Sequence, residues 1–98
     1  MSGAANAAIG TIKRTLAIAN KRGLHARAAA KFVRSAGQFD AAVRVSFKGQ
    51  DVSGLSIMGL MMLAAGIGSS IELSCSGRQA AEAMAALSAL VESKFGED

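Results

Sequence analysis

The hydrophobic pattern of this chain changes period several times along its length, and each change marks a new element. AAVRVSFK alternates strictly, with Val43, Val45 and Phe47 on one side and Arg44, Ser46 and Lys48 on the other, which is the period-two signature of a strand with one covered face. SSIELSCS repeats it with Ile71, Leu73 and Cys75 inward, and KRTLAIAN carries it through Leu16 and Ile18. Elsewhere the period lengthens to that of a helix. From Ala26 to Gln38, Ala29, Phe32, Val33 and Ala36 share one face and Arg27, Lys31 and Arg34 the other, with Gly37 expected to close the helix at positive φ. SIMGLMMLA is apolar nearly all round and opens on Ser56, a residue able to cap free backbone N–H groups. Ser76 and Gln79 stand at capping-box spacing ahead of a last helix whose buried stripe is Ala80, Ala83, Met84, Leu87, Leu90 and Val91. Gly49 and Gln50 are expected to turn the chain into a short strand around Val52.

The resulting order is β-α-β-β-α-β-α. Strands buried on both faces would read as continuous apolar runs, so the alternation predicts an open-faced α+β sandwich: a four-stranded antiparallel sheet covered on one face by three helices. Ninety-eight residues allow one such domain. The small, uncharged residues 1–12 are expected as a loose extension ahead of a domain over 13–98. Hydrophobic residues at 51% against charged ones at 18% suit a chain that buries a core. One histidine and one cysteine exclude a multi-ligand Cys/His zinc site and a disulfide framework, and no metal or cofactor is expected. No apolar run reaches the roughly 18 residues of a membrane span, and the opening stretch has neither the basic front nor the apolar centre of a secretory leader. A cytoplasmic monomer is the expectation.

Charge is distributed unevenly. Residues 1–39 carry +7 and no acid, and the remainder carries −3, so one part of the domain is suited to anions. A pI near 9.9 with the Arg27, Lys31, Arg34 stripe also fits a small nucleic-acid-binding module. Such readers add stacking aromatics, whereas periodicity turns Phe32 and Phe47 inward. Gly66-Ile67-Gly68 follows no strand that would make it a nucleotide fingerprint, and the scattered acids show no pair for hydrolysis. Cys75 reads as an inert buried thiol.

The informative stretch is Gly23-Leu24-His25-Ala26-Arg27, where loop meets helix. Unpaired N–H groups and the positive end of the dipole favour an anion there. Arg27 breaks the usual preference for acids in a first turn, at a cost of about 0.3–1 kcal/mol that an arriving phosphate removes. Neutral imidazole is nucleophilic near pH 7, needs no metal, and forms an N–P bond labile enough to pass the group on. The residues by themselves equally allow His25 to be a plain polar cap.

GLHARAAAKFV followed some thirty residues later by SIMGLMML resembles the histidine-containing phosphocarrier family, HPr, of the bacterial phosphoenolpyruvate-dependent phosphotransferase system. The resemblance runs from about Lys13 to Phe95 and includes the element order. It implies that His25 takes a phosphoryl group on Nδ1 from enzyme I and yields it to EIIA-type domains, acting as a carrier more than an enzyme. Arg27 would steady the phosphoryl oxygens and the backbone N–H groups of Ala26 and Arg27 would cradle them. Ser56 matches the serine modified by an HPr kinase/phosphorylase in many bacteria, and Ile57, Met58 and Met61 match the apolar patch that docks both partners. Sugar-linked, nitrogen-linked and purely regulatory relatives share these motifs. The family usually has proline after the arginine, where this chain has Ala28, and Leu55 stands where many Gram-positive relatives have a basic residue.

Overall fold

The computed structural model of the protein describes residues 10–97. Its elements keep the expected order: β1 (Thr11–Ala17), α1 (Ala26–Ala36), β2 (Ala42–Phe47), β3 (Gln50–Ser53), α2 (Ile57–Met62), β4 (Ser70–Ser76) and α3 (Ala80–Glu92), then a 3-10 turn at Lys94–Gly96. The four strands form one sheet in the order β1-β4-β2-β3, antiparallel throughout. The register stacks the inward residues in rows. Cys75 faces Ile12 on one side and Val43 on the other, and Leu73 faces Arg14 and Val45. Lys13, Thr15, Arg44 and Glu72 on the opposite face are exposed, as one-sided alternation requires.

Packing revises the sequence reading at several points. β1 opens at Thr11, two residues earlier than Lys13, and Ile12 packs on the core; Gly10 O accepts from Gly77 N–H at 2.9 Å, and residues 1–9 of the expected extension lie outside the described residues. Arg14 occupies an inner-face position of β1 and donates from Nη1 to Ser88 Oγ at 3.0 Å, with Nη2 3.8 Å from Glu92. That contact satisfies Ser88, which is buried in α3. The β2–β3 turn is centred on Lys48 and Gly49, at φ 49° and 82°, because Phe47 already pairs with Gln50; two successive left-handed residues suit the twist of a two-residue hairpin.

Gly37 closes α1 at φ −69° and not in the left-handed region. Gln38 and Phe39 N–H instead donate to Ser35 and Ala36 O, a tightened last turn that needs no positive φ. The capping box ahead of α3 does not form. Ser76 ends β4, and Gln79 turns to the loop before β2, accepting from Asp40 N–H at 2.8 Å and donating its own N–H to Asp40 O at 2.9 Å. Phe47 and Val33 are half-buried, whereas Phe95, beyond the last helix, is fully buried.

Candidate functional site

The loop from β1 to α1 is held by its neighbours more than by its own sequence. Asn20, fully buried, donates from Nδ2 to Gly23 O at 2.8 Å, and Leu24 N–H donates to Ala65 O beyond α2 at 3.0 Å. Gly23 has φ 63°, and a Cβ there would lie 2.4 Å from Ala65 O and 2.8 Å from Gly66 Cα. Both the conformation and the backbone contact therefore demand glycine. At its other end α1 brings Gly37 near Leu55, so α2 lies antiparallel beside α1.

His25 is the N-cap residue of α1, in extended backbone, and its carbonyl accepts from Ala29 N–H at 2.8 Å. Its side chain makes no capping hydrogen bond. The plain-cap reading therefore fails: the ring is turned elsewhere. Nε2 pairs with Glu97 Oε2, both side chains being more than four-fifths buried. Ala26 and Arg27 are exposed, their N–H groups lie in the first turn where no intrahelical acceptor exists, and that turn contains no acid. α1 begins at Ala26 without the proline, since alanine is a good helix former, and Ala28 is itself fully buried.

Glu97 arrives by an unusual route. Lys94, Phe95 and Gly96 are left-handed in succession, at φ 61°, 54° and 75°. Left-handed backbone costs a non-glycine residue about 1 kcal/mol or more, so Lys94 and Phe95 need compensation. Burial of the Phe95 ring and a 2.7 Å bond from Lys31 Nζ to Phe95 O provide it. Asn20 Nδ2 also donates to Glu97 Oε1 at 3.1 Å. The hydrogen bond from His25 holds the Glu97 carboxyl below its ordinary value, with Asn20 and the charge of Arg22 adding to the effect against desolvation. Lys21, Arg22, Arg27, Lys31, Gly96 and Glu97 line a cleft of about 400 Å³. Four cations there give an anion a favourable field.

The second motif forms a surface. Ser56 caps α2, accepting from Gly59 N–H at 2.9 Å through Oγ. Ile57, Met58 and Met61 are exposed, joined by Leu55, Met62 and Ile67, while Leu60 and Leu63 enter the core. Met58 at 66% and Met62 at 70% exposure make an apolar patch that the fold does not bury. Sequence reasoning missed Asn20, Lys31 as a buttress, Phe95 and Glu97. Asn20 continues the inward parity of Leu16 and Ile18, and Phe95 continues the four-residue step from Leu87 and Val91; for Glu97 no local pattern exists. All four phenylalanines are buried or half-buried, which removes the stacking platform a nucleic-acid reader needs. Among the described residues no helix is long and apolar enough to cross a membrane and no cluster could hold a metal ion.

Comparison with known proteins agrees with this geometry. The family model described as "PTS HPr component phosphorylation site" matches residues 12–93. The chain is 51% identical over 86 residues to the phosphocarrier protein HPr of Cupriavidus necator, covering 88% of this chain and 97% of that one. It is 42% identical to the phosphocarrier protein NPr of Shewanella violacea, over 88% and 94% of the two chains. The crystal structure of HPr-C-His from Thermoanaerobacter tengcongensis superposes with a TM-score of 0.85 at 44% identity, over 89% of this chain and 98% of that one. With both motifs inside the matched segment, the chain belongs to the HPr family of phosphocarrier proteins of the phosphotransferase system.

Proposed function

We propose that His25 is the phosphoryl-carrying residue, accepting the group on Nδ1 from enzyme I and passing it to EIIA-type domains in the cytoplasm. The observation that carries this is the ring at the open end of α1, unused as a cap and held through Nε2 by Glu97. The Nδ1 lone pair forms the N–P bond as the donor's bond to phosphorus breaks and its electron pair leaves with the donor. Arg27 and the first-turn N–H groups of Ala26 and Arg27 meet the phosphoryl oxygens, so catalysis is positioning and charge stabilisation. The protein is then a substrate at both steps and needs no cofactor. The exposed Ile57, Met58 and Met61 dock partners, and the basic cleft orients their acidic surfaces.

The test is incubation with phosphoenolpyruvate and enzyme I, followed by assay for acid-labile, base-stable phosphate. Labelling is expected, and its absence would retire the reading. Arg27→Glu places an acid in a first turn that has none. Transfer should slow about a hundredfold while stability holds or rises by about 0.3–1 kcal/mol. Comparable losses of both, measured by labelling rate and urea unfolding, would make Arg27 structural.

Ser56 is read as a regulatory site for an HPr kinase/phosphorylase. A phosphate at a helix N-terminus is electrostatically tolerated, and here it would stand beside the apolar patch and repel an acidic partner. Purified kinase with ATP should label wild type and not Ser56→Ala, and failure to label either would end the idea for this protein. Because Oγ caps Gly59 N–H, Ser56→Ala should also cost about 1 kcal/mol in urea unfolding.

A further inference from the structure

We propose that Glu97 is the positioning residue of the phosphoryl-transfer histidine, fixing which ring nitrogen is the nucleophile and balancing the charge the ring gains. The inference rests on the reading of His25 as the carrier and assigns a role to a residue at the far end of the chain. A carboxylate only accepts hydrogen bonds. In the neutral ring, the nitrogen paired with Glu97 Oε2 must therefore be the N–H nitrogen, which is Nε2. Nδ1 is left with its lone pair.

The consequence for transfer is a step in which no proton has to move. When the Nδ1 lone pair bonds to phosphorus, the ring becomes an N-phosphoryl imidazolium that keeps its proton on Nε2. Glu97 already faces that proton. When the phosphoryl group departs to an acceptor, the N–P electron pair returns to Nδ1 and the same neutral tautomer is restored. Glu97 thus orients the ring and offsets its positive charge in the phosphorylated state, as a third group orients the base in other activated pairs.

Two features indicate that the arrangement is built. Asn20, fully buried, donates from one amide nitrogen to both Gly23 O and Glu97 Oε1, tying the carboxylate to the loop that carries His25. The left-handed run Lys94, Phe95 and Gly96 brings Glu97 back over the start of α1, and Lys31 on α1 binds its backbone through Phe95 O. Lys21, Arg22, Arg27 and Lys31 share the cleft with Glu97, so its negative charge does not leave the site repulsive to an incoming phosphoryl group.

The test uses the one imidazole in the chain. Long-range proton–nitrogen correlation of unphosphorylated protein, at a pH where the ring is neutral, should show the Nε2–H tautomer in wild type. In Glu97→Ala, and in Glu97→Gln, whose amide can donate or accept and so dictates neither form, the ring should hold a mixture of tautomers. The rate of phosphate acceptance from enzyme I should fall about tenfold or more in both, with far-UV circular dichroism unchanged. A variant that keeps the wild-type tautomer, or accepts phosphate at the wild-type rate, overturns the proposal. Wild type that labels while the variants match it fails this inference alone, whereas wild type that takes no phosphate fails the reading of His25 and the inference with it.

Discussion

A His25→Ala protein is expected to accept no phosphoryl group from phosphoenolpyruvate and enzyme I, while still folding. The chain holds one histidine, so acid-labile, base-stable phosphate has no second imidazole to occupy. The side chain makes no capping bond, and its backbone bond to Ala29 survives in alanine. Removing the ring strips Glu97 of one partner but leaves Asn20 and the basic cleft around it. The fold is therefore expected to persist, read by far-UV circular dichroism because the chain has neither tryptophan nor tyrosine. Labelling of His25→Ala at the wild-type level would overturn the assignment. Loss of labelling together with loss of the folded signal would make the ring structural.

Phe95→Ala should give the largest loss of stability. The ring is fully buried at the junction of α1, α3 and the C-terminal turn, and emptying such a site costs about 3–5 kcal/mol. In a domain of this size each kcal/mol lowers the melting midpoint by roughly 4 °C or more. The effect also reaches the site. Phe95 and the Lys31 bond are what hold the left-handed run that delivers Glu97, so the pairing with His25 should loosen at temperatures where the protein is still folded. Urea unfolding and the imidazole tautomer measured on the same sample check both. A loss below about 1 kcal/mol, small beside that expectation, would mean the turn holds itself without the ring.

The two largest effects fall on residues that differ in how visible they are in the sequence. His25 stands out because it is the only imidazole and lies at a change of hydrophobic period, with Arg27 breaking the charge rule of a first turn. Ser56 is visible as a cap for the same local reason. The fold class is visible too, since one-sided alternation at Val43, Val45, Ile71, Leu73 and Cys75 and helical spacing in two segments leave few alternatives. By contrast Met61, Met62 and Leu63 look alike along the chain, and only the packing of α2 against α1 and the sheet separates the exposed methionines from the buried leucine. Periodicity placed Phe47 inward, where it is only half covered near the sheet edge, and Phe95 was passed over because its four-residue step from Leu87 and Val91 runs past the end of α3.

Local chemistry therefore determined what this protein is made of: its element order, its open-faced sheet, the histidine at a helix start and the serine at another. These depend on neighbours one to four residues away, the range over which hydrophobic period and capping act. Tertiary structure alone decided what stands beside the histidine. Asn20, Lys31 and Phe95 fix the path of the last residues, and Glu97 reaches His25 across 72 positions of sequence. No local pattern encodes a contact of that kind, because it exists only once the sheet has brought both ends of the domain together.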